Sequence, residues 1–277
     1  MSRFPSLFVS HGAPTLVLEK DGAAEFLRGY GERLGRPKEI LVVSAHWETD
    51  APTVGTTAVP ETIYDFRGFP AELYRMRYAA PGAPELAERA AELVEAEMGG
   101  AVRRDPRRGL DHGAWVPLSL MYPDADIPVM QLSIQHQGGP AAHLALGEAI
   151  RPLRAEDILV LASGSATHNL YEFRGFDYDS APPGWVSEFG DWVAGAISGA
   201  KTAELLDYRR LAPSAERNHP TEEHLLPLFT ALGAASPGTA GTRVHSSHTY
   251  GVLAMDVLRS CTLLFGRSKL HAHCHPK

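Results

Sequence analysis

Two hydrophobic periods alternate along the chain. Short apolar runs at 6–10, 40–45, 53–57, 129–134 and 158–163, with two more at 243–246 and 251–256, have the length and branched character of buried strands. Between them, segments 23–34, 84–97, 143–151, 183–198 and 221–232 place apolar residues three and four apart, the mark of a helix with one buried face. This alternation predicts an α/β layer fold. Segments 58–82, 104–117 and 169–183 are rich in glycine, proline and aromatic residues, and they read as long surface loops over a site. There is no internal repeat and no low-complexity tract.

Several of the strand runs end in an unexpected group. Leu7-Phe8-Val9-Ser10 stops at His11-Gly12, Val42-Val43-Ser44-Ala45 at His46, Leu161-Ala162-Ser163-Gly164-Ser165-Ala166-Thr167 at His168, and Val244 at His245. In an open α/β sheet, side chains at the carboxyl ends of strands project into the crevice where ligands bind. One such histidine is an ordinary capping or surface residue; four of them suggest a shared ion or substrate. Small neighbours such as Gly12 and Ala45 leave room for it.

The stretch His219-Pro220-Thr221-Glu222-Glu223-His224 opens the 221–232 helix, with Thr221 as N-cap. A five-residue gap sets the two histidines on different sides of a helix, so both do not reach one ion. His224, in the first helical turn, is favoured, and His219 is expected to shape the site from the loop. Asp111-His112-Gly113-Ala114-Trp115 is either a turn with a solvent-facing histidine or part of the site. His136 and His143 read as structural or exposed.

Composition narrows the function without naming it. The chain has 277 residues, 44% apolar, which is enough to bury a large core. The net charge of -7, without a run of like charges, argues against nucleic-acid and membrane-surface partners. Only Cys261 and Cys274 are present, against 13 histidines, which fits a reducing compartment. No segment reaches the roughly 18–20 apolar residues of a membrane span, and none resembles a signal peptide. A cytoplasmic enzyme is expected. A single domain over 1–262 is expected, followed by a disordered tail at 263–277 whose His271, His273, Cys274 and His275 would bind metals only opportunistically.

Five motifs, taken together and in order, resemble one family. Ser10-His11-Gly12-Ala13-Pro14, Ser44-Ala45-His46-Trp47, Asp111-His112-Gly113-Ala114-Trp115, Gly164-Ser165-Ala166-Thr167-His168-Asn169 and His219 to His224 are similar to those of the class III extradiol ring-cleaving dioxygenases, from about residue 5 to about 258. The nearest look is to the 4,5-DOPA extradiol dioxygenase-like branch, related to the protocatechuate 4,5-dioxygenase β subunit. The resemblance implies a mixed, mainly parallel sheet with a non-haem metal at one end, held by His11, His46 and His224. Its third ligand is a glutamate in the protocatechuate-type relatives, so this branch substitutes an imidazole; Glu222 and Glu223 remain alternatives if the helix is rotated. It further implies Fe(II) for activity, with Zn(II) able to fill the same site. The substrates would be a catechol-type molecule and O2, and the product a ring-opened semialdehyde.

In the same resemblance His168 is the acid/base residue and a possible fourth ligand under zinc, while His112 binds substrate and oxygen. Trp115 and Tyr250 are candidates to pack on the aromatic ring, with core packing the alternative for Trp115. Asp111 either orients His112 or caps a turn. Arg67, Arg75 and Arg77 could pair with a substrate carboxylate or remain solvated. Two other functions fit the histidines: a zinc-dependent hydrolase, and a Memo-like non-enzymatic binding scaffold.

Overall fold

The computed structural model describes residues 4–260 apart from residue 21. The boundary expected at 262, the tail at 263–277 and both cysteines lie outside the described residues. Strands β1 (Ser6–Ser10), β2 (Glu39–Glu48), β3 (Thr53–Gly55), β4 (Arg103–Asp105), β5 (Val129–Ile134), β6 (Ile158–Gly164), β7 (Gly241–His245) and β10 (Val257–Ser260) form one sheet in the order β4-β3-β5-β2-β6-β1-β10-β7. β8 (His248–Thr249) and β9 (Leu253–Ala254) pair as a small separate ribbon. The helices are α1 (Gly22–Leu34), α2 (Pro84–Met98), α3 (His112–Met121), α4 (Gly139–Ile150), α5 (Gly184–Ser198), α6 (Thr202–Leu206), α7 (Tyr208–Leu211), α8 (Ala215–Asn218) and α9 (Leu226–Ala234).

The central strands β5, β2, β6 and β1 run parallel, and antiparallel pairings join β3 on one side and β10 and β7 on the other. The sheet is therefore mixed with a parallel centre. Both faces of the centre are covered, so its strands are continuously apolar. Alternate side chains enter two separate cores: Leu7, Val9, Ile40, Val42, Leu159 and Leu161 pack with α1 and α3, while Phe8, Leu41, Val43, Val160 and Ala162 pack with α2, α4, α5 and α9. α4 and α9 touch closely. A Cβ on Gly147 would stand 2.1 Å from the Thr230 carbonyl oxygen, and one on Gly233 would stand 2.0 Å from that of Leu144.

Three of the departures from the sequence expectation bear on the site. Segment 104–117 is not a surface loop. It holds the end of β4 and the start of α3, nine of whose ten residues are buried. A helix enclosed on all sides carries no amphipathic stripe, and Gly113 and Pro117 conceal it further. The helix expected from 221 starts instead at Leu226, with Pro227 in its first turn. The Thr221 hydroxyl donates to the Glu223 carboxylate (3.0 Å), so it does not act as an N-cap. Finally, β2 runs on to Glu48 through an irregularity: Val43 pairs with Leu132, but Glu48 pairs with Ile134.

Candidate metal centre

Register brings the histidines together. Ser10 lies opposite Gly164 and Ser44 opposite Ser163, so β1, β2 and β6 end at one level of the sheet. His11 directly follows β1, and its backbone N–H donates to the Gly164 carbonyl (3.0 Å). His46 sits inside the irregular part of β2, where extra residues turn the strand and re-aim the side chain. His224 sits in the turn before α9; its carbonyl accepts from Ser165 N (2.8 Å), which fastens the turn to the end of β6.

The Nε2 atoms of His11 and His46 lie 3.1 Å apart, and those of His46 and His224 lie 3.3 Å apart. Each of the three residues offers a nitrogen within 4.8 Å of the other two. Two nitrogens bound to one ion at about 2.1 Å stand roughly 3.0 Å apart at a right angle and 3.4 Å at a tetrahedral one. The spacing therefore fits one shared ion.

The other ring nitrogens are already engaged. Ser163 Oγ donates to the Gly113 carbonyl, so it must accept from His11 Nδ1 (3.0 Å), which leaves His11 Nε2 with its lone pair. His224 Nδ1 bonds Glu223 Oε1 at 2.9 Å, and His46 Nδ1 lies 3.4 Å from Asp65 Oδ2. Held this way, all three rings present Nε2 as a ligand, an orientation that outer partners commonly enforce on metal-binding histidines. Neither carboxylate considered as an alternative joins the three nitrogens: Glu223 backs His224, and Glu222 accepts from the Tyr208 hydroxyl (2.9 Å).

Electrostatics keep these rings neutral in the metal-free chain. Burial, then the neighbouring His46, holds His11 well below the usual histidine range. Burial, then His168, does the same to His224, and burial lowers His46 to about 4 despite the opposing pull of Asp111 and Asp65. Three neutral imidazoles crowded together are what a divalent cation needs and what protons disfavour.

His112 and His168 flank the three. His112 opens α3, and its ring centroid lies 4.0 Å from that of His46. Asp65 Oδ1 accepts from both its backbone N–H (3.1 Å) and its Nδ1 (2.9 Å), leaving Nε2 for a ligand. Burial opposes ionisation of Asp65, but its hydrogen bonds and charge contact with His112 outweigh that and bring it down to about 2. Asp111, by contrast, does not touch the His112 ring: it caps α3 at Ala114 N and accepts from Ser44 Oγ (2.6 Å), Gln131 Nε2 (2.8 Å) and the Arg108 guanidinium. The His168 ring stacks on that of His224, with centroids 3.5 Å apart and planes 11° apart. Burial lowers His168 to about 4, with Glu223 pulling the other way.

Five histidines, His11, His46, His112, His168 and His224, line one end of a cavity of about 560 Å³ whose remaining walls are largely apolar. Tyr250 lines it too, with φ of 52°, a left-handed conformation that is rare for a tyrosine. Trp115 does not line it. The indole is fully buried behind Phe66 and donates to the Ile63 carbonyl (3.1 Å), so the core-packing alternative holds there. His245 lies away from the cluster, stacked on Phe26 and bonded to Ser247 Oγ (2.8 Å). His219 is wholly buried beneath the site with Nε2 on the Ala166 carbonyl (2.9 Å), and His143 is buried with Nε2 accepting from Gln135 N (3.2 Å).

The sequence reading missed Asp65. Its only signal was an acidic residue flanked by Tyr64 and Phe66 within a loop placed over the site. Glu223 was weighed as a ligand and missed as a support.

Fold and site together define an α/β protein with a three-imidazole pocket at the carboxyl ends of a parallel sheet. Residues 5–257 match the family described as the catalytic LigB subunit of aromatic ring-opening dioxygenase. The chain belongs to this family and is a class III extradiol dioxygenase. It is 42% identical over 252 residues to a 4,5-DOPA dioxygenase extradiol of Beta vulgaris, covering 90% of this chain and 93% of that one. With a protein of the same description from Mirabilis jalapa it shares 38% over 243 residues, 87% of this chain and 90% of the relative. A solved structure of an uncharacterized protein from Escherichia coli K12 superposes with a TM-score of 0.77 at 34% identity, covering 93% of this chain and 99% of that chain.

Proposed function

We propose that this dioxygenase cleaves a catechol-type ring with O2 to a ring-opened semialdehyde, using one divalent ion held by His11, His46 and His224. Fe(II) is the working ion, and Zn(II) suits the same nitrogens without supporting oxygen chemistry. The observation that carries the reading is the convergence of three Nε2 atoms, 3.1 and 3.3 Å apart, whose partner nitrogens face Ser163, Asp65 and Glu223. An ion held by these three nitrogens would supply Lewis acidity toward a diol and O2.

The surrounding side chains handle protons and position. His168, neutral at pH 7, takes the proton of the second diol hydroxyl; the Glu223 carboxylate, whose charge favours the protonated imidazole, steadies the resulting imidazolium. The same ring would then return that proton to an oxygen of the opened ring. We assign His168 this role rather than that of a fourth ligand, because its face is laid against His224. His112, fixed through Nδ1 by Asp65, uses Nε2 to meet a diol or oxygen atom, and Tyr250 packs on the ring. Among the described residues no helix is long and apolar enough to cross a membrane. Two cysteines and a net charge of -7 support a cytoplasmic site of action and argue against nucleic-acid partners.

The test is anaerobic removal of metal, reloading with Fe(II) or Zn(II), and an oxygen electrode with catechols. Oxygen uptake equal to catechol consumed, with Fe(II) alone, is expected, and His46→Ala should not retain the ion. Hydrolysis of esters or amides by the zinc form without oxygen uptake would overturn the proposal.

A further inference from the structure

We infer that His219 is the residue that aims His168, the acid/base group of the reading above, on which this inference rests. The other four site histidines are held through their rings: Nδ1 of His11 meets Ser163, those of His46 and His112 meet Asp65, and that of His224 meets Glu223. Among the described residues no side chain hydrogen-bonds a ring nitrogen of His168, which suits a group that must take up and return a proton. Its ring is placed by stacking on His224, with centroids 3.5 Å apart, and by the backbone that carries it.

That backbone is bonded residue by residue. Ser165 N donates to the His224 carbonyl (2.8 Å), Ala166 N to Ser10 Oγ (3.0 Å), the Thr167 hydroxyl to the Val252 carbonyl (2.8 Å) and His168 N to the Asn218 carbonyl (2.9 Å). The Ala166 carbonyl, two residues before His168, takes its partner from a side chain: the Nε2–H of His219, 2.9 Å away. A carbonyl only accepts, so this bond fixes the tautomer of His219 as well as the plane of the peptide that leads toward His168. His219 is wholly buried against Phe189, and its Nδ1 meets no hydrogen-bond partner. A buried unpaired nitrogen is unfavourable, so a position that served packing alone would be better filled by an apolar side chain. The imidazole is there to present one N–H to one carbonyl. Because His219 does not line the cavity, it acts through His168 and is a positioning residue.

Two variants separate positioning from packing. A glutamine amide reaches the place of Nε2 and an asparagine amide only that of Nδ1, so His219→Gln keeps the donor to Ala166 and His219→Asn loses it. In oxygen uptake by the Fe(II)-loaded enzyme with a catechol, kcat should fall by about ten- to 100-fold in His219→Asn and stay within about three-fold of wild type in His219→Gln, with KM moved less than about three-fold and metal content full in both. Hydrogen–deuterium exchange of the metal-free protein gives a second readout: segment 165–169 should exchange at least about ten-fold faster in His219→Asn and near the wild-type rate in His219→Gln. Val193→Ala, a truncation of a buried residue in α5, is the control for lost stability and should lower Tm with kcat unchanged. Equal kcat in the two His219 variants, or a loss in His219→Asn carried by KM or by metal content, would overturn the inference. A His219→Asn or His219→Gln chain that did not fold would mark the residue as structural and end it likewise. His168→Ala tells this inference from the reading beneath it: if His168→Ala lost ring cleavage while His219→Asn kept it, only the role of His219 would fail, whereas ring cleavage by His168→Ala would remove the acid/base assignment itself.

Discussion

Gly164→Ala tests whether the end of β6 and the third imidazole are one mechanical unit. Gly164 closes β6, and a Cβ built there would lie 2.1 Å from the His224 carbonyl oxygen, 3.1 Å from its carbon and 3.2 Å from the Phe8 ring. Side-chain carbons do not approach closer than about 3.0 Å, so the two backbones must separate by about 0.9 Å. The hydrogen bond from Ser165 N to that same carbonyl lies beside the clash and is stretched with it. Metal ligands tolerate displacements of only about 0.2 Å, so moving the His224 backbone by several times that amount should lower affinity for Fe(II) or Zn(II) by ten- to 100-fold or more. The accompanying strain and weakened hydrogen bond should cost about 2–4 kcal/mol, or roughly 4–12 °C in Tm. The control is Gly195→Ala, an exposed position in α5 with nothing within 4 Å of the new carbon, which should be neutral or stabilising by up to about 1 kcal/mol. The assay is a metal competition titration against a chelator beside a thermal melt. If Gly164→Ala bound metal with wild-type affinity, with or without a loss in Tm, the coupling between this glycine and the imidazole would be refuted.

Other perturbations probe separate parts of the site. His168→Ala should keep the ion, measured by elemental analysis, while ring cleavage falls by about 10²- to 10⁴-fold; loss of metal in step with activity would return His168 to the ligands. Asp65→Ala frees the His112 ring and should cut kcat by about ten- to 100-fold with a smaller change in metal affinity, and an unchanged kcat would remove Asp65 from the mechanism. Asp111→Ala strands the Arg108 guanidinium and unties Ser44, Gln131 and the start of α3, so denaturant unfolding should show a loss of about 3–5 kcal/mol, with Asp111→Asn losing less. His219, buried and lowered to about 4, charges more readily unfolded than folded. Stability of the metal-free protein should thus be full above pH 6.5 and fall as pH drops through the window from about 6.5 to about 4, by about 3 kcal/mol from this residue; an equal slope in a folded His219→Gln variant would contradict that.

Where sequence and structure agree, one physical rule was enough to read the element. The strands of the parallel centre are buried on both faces, so runs such as 129–134 and 158–163 stood out as unbroken apolar segments. Amphipathic helices α1, α2 and α5 showed through for the complementary reason, one wet face and one dry. Elements fixed by tertiary contact stayed hidden: α3 lacks a wet face, and β4 is a three-residue edge strand of Arg103, Arg104 and Asp105 with no apolar signature. At the site, His11, His46, His112, His168 and His224 were legible because imidazoles at strand ends are rare and chemically distinctive. Asp65 was not, because its meaning lies in contacts with residues distant along the chain, His112, 47 residues away, and His46. Trp115 misled as a possible ring-binding residue because an aromatic in a histidine motif looks the same whether it faces the cavity or the core.

The three imidazoles owe their convergence to backbone joints rather than to one another. Left to themselves, neutral rings with lone pairs 3.1–3.3 Å apart repel, so the arrangement must be imposed from outside. His11 is fixed by the parallel pairing of β1 with β6, His224 by the bond from its carbonyl to Ser165 just beyond that same strand, and His46 by the turn in β2 that Ser44 and Asp111 secure. Asp111 also begins the helix that carries His112. One buried carboxylate and the end of one central strand therefore set four of the five site histidines. It follows that a substitution at either joint should disturb the ion and the fold together, whereas changes to the apolar outer walls should alter which ring binds and leave the ion in place.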